Sequence, residues 1–135
     1  MLTLDRPKLQ LSKPIVTPKL ADLERERIRN ERRALKRRAH ETRAKLAARF
    51  PKCFADFMHP KRPLKIGIYN DLLAKAPDLG PWSLQLAIRD YVNGKTYLAA
   101  CVEGAPRIDL NGDEAGFVSN HAAAHARTLL ARRRQ

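Results

Sequence analysis

His121 and His125 stand four residues apart, a spacing that on a helix lets two imidazoles reach one metal ion. A zinc-hydrolase helix also needs a glutamate directly after the first histidine and a third ligand. Here Ala122 follows His121, and no third ligand is marked. Asp109-x-Asn111-x-Asp113 opens like a calcium loop, but Glu114 stands where such a loop needs glycine and Asn120 where it needs a bidentate glutamate. A hairpin turn is expected there instead. Cys53 with a distant histidine would be a nucleophile pair only if something activated the thiol. Nothing local does so, and a buried structural thiol is expected. Neither common glycine-rich phosphate loop is present. Without an acid–base pair, a metal set or a cofactor motif, the chain reads as a non-enzyme with no cofactor.

One further cluster is cationic. Arg32, Arg33, Lys36, Arg37 and Arg38 lie close together with only Glu31 adjoining, which favours a polyanion-binding role over a merely solvated face. The whole chain of 135 residues carries 27 Lys and Arg against 14 Asp and Glu, a formal charge of +13. Such an excess repels itself in the folded state and calls for a polyanionic partner. Nucleic acid is the first candidate, an anionic membrane surface the second and an acidic protein the third. No stretch approaches the roughly 20 apolar residues of a membrane span, and the N-terminus lacks the marks of a signal peptide. Two cysteines far apart, Cys53 and Cys101, suit a reducing cytoplasm rather than a disulfide framework.

The elements that must position these groups fall into two parts, because residues 1–49 hold 15 of the basic residues and only 6 of the acidic ones. Residues 1–17, with Pro7 and Pro14, read as an extended, disordered leader. Thr17-Pro18 looks like a helix start. From Lys19 to Phe50 there is no Pro or Gly, so a long basic helical arm is expected over 18–47. Its apolar residues Leu23, Ile28, Leu35, Ala39 and Leu46 trace a thin stripe, too interrupted for a strong coiled coil. Removal of residues 1–45 is therefore expected to spare the fold. Phe50-Pro51 ends the helix, and a loop runs to Arg62-Pro63.

Leu64 to Lys75 reads as a second helix with Ile66, Ile68, Leu72 and Leu73 inward. Gly80-Pro81 opens a third, carrying Leu84, Ala87, Ile88 and Tyr91, which Asn93-Gly94 closes. Strand character at Tyr97–Val102, period-two alternation over Arg107–Leu110 and the Asn111-Gly112 turn predict a small meander, with a short strand at Phe117-Val118. Ser119 caps a final helix. The fold class is α+β: a small helical domain over 48–131 with a short β-meander or hairpin, preceded by the long basic helix and followed by an Arg-rich tail over 132–135.

From Phe50 the chain resembles the ProQ/FinO family. Phe50-Pro51-Lys52-Cys53-Phe54, Arg62-Pro63-Leu64-Lys65-Ile66-Gly67-Ile68 and Asp71-Leu72 carry the resemblance first. It continues through Leu84, Ala87-Ile88-Arg89, Tyr91, Tyr97-Leu98 and Gly104-Ala105. Arg107-Ile108-Asp109-Leu110-x-Gly112, Gly116 and His125-Ala126-Arg127 complete the ordered series over about 48–129. The resemblance implies a ProQ/FinO-like fold and a bacterial RNA chaperone. Its partners would be small RNAs and messenger 3′ ends, especially terminator stem-loops with a single-stranded 3′ tail. The basic helix before the domain is similar to that of the FinO branch, where such an arm assists pairing of an antisense RNA with its target.

Within that resemblance, Lys65, Arg89, Arg107 and Arg127 are cations of a near-neutral core, suited to phosphates. Tyr97 offers a ring and a hydroxyl to a terminal sugar or a base. The helix start at Gly80 presents unpaired N–H groups to a phosphate. Where better-known members carry basic residues, this chain has Pro81 and Gln85. Trp82 beside them can stack on a base in compensation. Each assignment keeps an alternative: Tyr97 as core, Arg89 paired with Asp90 or Asp71, and Arg107 as a solvated turn neighbour. The reading is a cytoplasmic, monomeric RNA-binding protein with no membrane partner. The rival readings make the arm a protein-interaction adaptor or the chain a nonspecific double-stranded nucleic-acid binder.

Overall fold

The computed structural model describes residues 8–55 and 59–133, without the side chains of residues 8–18. Helix α1 (Lys8–Arg49) begins well before Pro18, so residues 8–17, expected to be extended, are helical. An interior proline costs a helix one ladder hydrogen bond and crowds the carbonyl four residues back, which disfavours the helix without forbidding it. Pro14 and Pro18 are carried inside the helix nonetheless. Residues 1–7 of the expected leader lie outside the described residues.

The chain divides into two compact units at Leu35 and Lys36. In the first, every side chain from Asp22 to Leu35 is exposed, including Leu23, Ile28 and Leu35. Arg25 pairs with Asp22 at 2.7 Å, and Arg27 pairs with both Glu24 and Glu31. Surface pairs of this kind contribute about 0.2–0.5 kcal/mol each. This stretch is therefore helical mainly by propensity.

The second unit starts at Lys36, not at residue 48, because the last turns of α1 are part of its core. Ala39, Thr42 and Leu46 are buried, one or two turns apart on one helical face. Leu46 packs in the cluster that holds Phe54, Leu64, Leu72, Leu84, Tyr91 and Ile108. Arg43 adds an ion pair to Asp90 at 2.8 Å, and Arg49 another to Asp78 at 2.5 Å. The expectation that residues 1–45 are dispensable for the fold is thereby corrected. Thr42 is polar by type, so the buried face looked thinner in sequence than it is.

Helix α2 (Ile68–Lys75) is shorter than expected. Gly67 adopts a positive φ of 87°, a conformation that glycine enters without penalty, and it breaks the helical run before Ile68. Leu64 instead forms a parallel bridge with Ile108. Ile66, expected to point inward, is 77% exposed. A 3₁₀ turn over Pro77–Leu79 leads through Gly80 to α3 (Pro81–Val92), which buries Leu84, Ala87 and Tyr91 and ends at Asn93.

The strand expected at Tyr97–Val102 is a helix, α4 (Lys95–Ala100). Adjacent residues Tyr97 and Leu98 are both buried, which a helix permits and an alternating strand does not. Strands β1 (Pro106–Ile108) and β2 (Glu114–Phe117) then form an antiparallel hairpin, pairing Pro106 with Phe117 and Ile108 with Glu114 around a bulge. In its turn, Asp109 Oδ1 accepts the N–H groups of Asn111 at 2.9 Å and Asp113 at 3.0 Å. Helix α5 (Asn120–Arg133) is capped by Ser119, whose Oγ accepts the Ala122 N–H at 3.1 Å. It includes Arg132 and Arg133, expected as tail; residues 134–135 lie outside the described residues.

Candidate nucleic-acid interface

The bridge between Leu64 and Ile108 aligns the backbones on either side of it. The Lys65 N–H donates to Ile108 O at 2.8 Å, and the Ile108 N–H donates to Pro63 O at 2.9 Å. Arg107 Nη1 donates to Leu64 O at 2.8 Å. On the other side of the same residue, the Leu64 N–H donates to the Tyr97 phenol oxygen at 3.0 Å. Lys65, Tyr97 and Arg107, remote in sequence, are thus gathered around one peptide segment.

Their environments differ. The Lys65 ammonium pairs with Asp71 at 2.9 Å, and that hydrogen bond raises its pKa while the side chain stays 40% exposed. Arg107 is half-buried and has no carboxylate within 4 Å among the described residues; its Nε is buried without a hydrogen-bond partner. It is a fixed cation that no acid among the described residues neutralises. Tyr97 is only 6% exposed, and burial pushes its phenol up to about 12. Its ring meets that of Tyr91 in a T-shaped contact, centroids 5.7 Å apart. The packing of Tyr97 is that of the core alternative, and its hydroxyl holds the Leu64 N–H.

A second group lies on α3. Trp82, Gln85 and Arg89 are exposed at spacings that share one helical face, with Gly80 just ahead of them. Arg89 pairs with neither Asp90 nor Asp71: Arg43 and His40 engage the first, and Lys65 the second. Arg127 is exposed on α5. Neither Arg127 nor the α3 group makes a hydrogen bond to the Leu64 group among the described residues. Arg32, Arg33, Lys36, Arg37 and Arg38 are all exposed on α1 and make no ion pair among the described residues.

A third grouping had no signal in sequence. Arg43 Cζ and Lys61 Nζ each lie 5.1 Å from the centroid of the Tyr91 ring. Tyr91 itself is buried, its hydroxyl accepting the Ala55 N–H at 3.0 Å. Burial and the nearby Arg43 lower the pKa of Lys61. Cys53 is buried and pushed up to about 12 by desolvation, the opposite of an activated thiolate. His121 and His125 are exposed.

The sequence profile of the ProQ/FINO family matches residues 23–135. The chain belongs to the ProQ/FINO family. This ProQ/FINO chain is 40% identical over 91 residues to a protein of Histophilus somni (strain 2336) named RNA chaperone ProQ, covering 65% of this chain and 43% of that protein. It is 39% identical over 89 residues to the Haemophilus influenzae RNA chaperone ProQ, covering 64% and 45%. The chain thus spans less than half the length of these relatives. The solution structure of a ProQ homolog from Legionella pneumophila superposes with a TM-score of 0.54 at 29% identity, covering 66% of this chain and 77% of that one. A FinO-like RNA chaperone from Neisseria meningitidis MC58 shares the fold with a TM-score of 0.58 at 22% identity, covering 75% and 82%. No helix among the described residues is long and apolar enough to cross a membrane.

Proposed function

We propose that this ProQ/FINO chain binds structured RNA and acts as an RNA chaperone, promoting RNA–RNA pairing in post-transcriptional regulation without chemistry of its own. Its RNAs are small RNAs and transcript 3′ ends, above all a terminator hairpin with a single-stranded 3′ tail. The observation that carries the reading is Arg107, held by Leu64 O at 2.8 Å and without a carboxylate partner among the described residues. A guanidinium fixed in place and short of an anion is pre-organised for a phosphate. The names of the Histophilus and Haemophilus relatives support the same reading.

In this proposal Lys65, Arg107, Arg89 and Arg127 contact phosphates, and the first N–H groups of α3 after Gly80 receive another. Trp82 stacks on an unpaired base, Gln85 lends a polar contact beside it, and Tyr97 holds the Leu64 segment from which Lys65 reaches the RNA. Arg32, Arg33, Lys36, Arg37 and Arg38 draw in a second RNA strand. The protein works as a monomer in the cytoplasm.

The test is binding to one hairpin in three forms: with a free 3′ hydroxyl on its tail, with that hydroxyl phosphorylated, and with no tail. The free-tailed form should bind most tightly. Equal affinity for all three would leave only a nonspecific binder of duplex charge.

A further inference from the structure

Lys61 is drawn partly out of water, and the contact that receives its ammonium is a ring. It is half-buried against the Tyr91 ring, and among the described residues no carboxylate lies within 4 Å of it. The ring face supplies part of what the ammonium loses by leaving water. The pKa of Lys61 is nonetheless lowered by desolvation and by Arg43, with Asp90 opposing. Arg43 shares the same ring at the same 5.1 Å. Its ion pair to Asp90 uses Nη1, while a guanidinium has further donors to offer. Counting Asp90 against Arg43 and Lys61, the cluster keeps one positive charge, before any contribution from His40, 3.3 Å from Asp90.

We infer that Arg43 and Lys61, converging on Tyr91, form a phosphate site that takes a backbone phosphodiester of the bound RNA, separate from the Leu64 group. The inference rests on the RNA-binding reading above and extends its footprint to the junction of α1 and α3. Along α1, Lys36 precedes Arg43 by two turns and is exposed, so an exposed cation of the same helix leads toward this site. On the domain side, Lys61 is four residues from Lys65, a separation of at most about 14 Å of chain. One RNA backbone can therefore meet both cation groups. Asp90 in this arrangement holds Arg43 in place when RNA is absent and gives up part of that contact to the phosphate.

The test uses the full chain, the free-tailed hairpin and a salt titration of affinity, beside thermal unfolding of each variant. Lys61→Gln should weaken binding several-fold and reduce the salt slope by about one unit or slightly less, the signature of one lost phosphate contact. Its melting temperature should stay near that of the wild type. Asp90→Asn should do the reverse, steepening the salt slope while lowering the melting temperature, because Arg43 and His40 lose their anchor. If Lys61→Gln unfolds, Lys61→Met keeps the ring contact without the charge, and the same drop in slope is required of it. A folded Lys61 variant with wild-type affinity and slope overturns the site and leaves the functional reading standing. A wild-type protein that binds no form of the hairpin overturns both.

Discussion

The Tyr97 phenol oxygen accepts the Leu64 N–H at 3.0 Å, so a buried side chain of α4 holds the segment from which Lys65 and Arg107 are organised. Tyr97→Phe would leave that buried N–H unpaired, a loss of about 1–3 kcal/mol. Tyr97→Ala would also open a cavity and should cost about 3–5 kcal/mol. Chemical denaturation of both variants checks the order. A Tyr97→Ala protein as stable as the wild type, yet weak for RNA, would return the ring to the ligand side.

Truncations at residues 35 and 45 should behave differently. Removing 1–35 deletes a unit whose described side chains are mostly exposed, and should leave the melting temperature of the rest unchanged. It also removes Arg32 and Arg33, so RNA binding should lose some of its salt dependence. Removing 1–45 takes away Ala39, Thr42 and Arg43 and uncovers Leu46, which is 0% exposed in the full chain. That protein should unfold at markedly lower temperature or without a cooperative transition. Identical melting curves for the two truncations would return the last turns of α1 to the arm.

Gly112→Ala should destabilise the hairpin turn. The residue has a φ of 84°, and an added Cβ would come within 2.8 Å of the Lys52 Cβ and 3.1 Å of the Lys52 carbonyl oxygen. Strain of that backbone type alone costs about 1–3 kcal/mol, and the backbone of Lys52 can yield little. A urea midpoint indistinguishable from wild type would mean the turn relaxes freely.

Alkaline pH should unfold the domain through two buried acids. Folded-state values near 12 for Cys53 and Tyr97 stand above ordinary values of 9.0 and 10.0. Both groups are protonated in either state well below pH 9, so their contribution is intact there. Above it the unfolded chain ionises first and binds fewer protons, so stability falls as pH rises toward 12. The slope approaches about 1.4 kcal/mol per pH unit for each group. Cys53→Ala should lose other packing energy but show a flatter decline between pH 9 and 12, followed by denaturation at each pH. An unchanged slope would mean the thiol is already solvated.

Much of the candidate site was legible because its signals are local. Gly80-Pro81 marks the start of α3, Ser119 caps α5, and Asp109 with Asn111-Gly112 forms the hairpin turn; each depends on a few adjacent residues. That Lys65 and Arg107 share one backbone segment was not legible, since no spacing rule joins positions so far apart. Tyr97–Val102 was misjudged as a strand because Tyr and Val favour strands by type. The Tyr97–Leu98 pair is buried on a helix instead, where neighbouring side chains can both face inward.

The sequence by itself determined the excess positive charge, its concentration before residue 50, the helical character of α1 and the ordered motifs of the family, all properties of composition and short-range geometry. Only the tertiary structure decided which face of α1 is core, that Thr42 is buried with Ala39 and Leu46, that Tyr97 lies inside, and that Arg43 and Lys61 meet at Tyr91. Burial and charge pairing are set by what packs across from a residue, and for these residues the partner comes from a distant part of the chain.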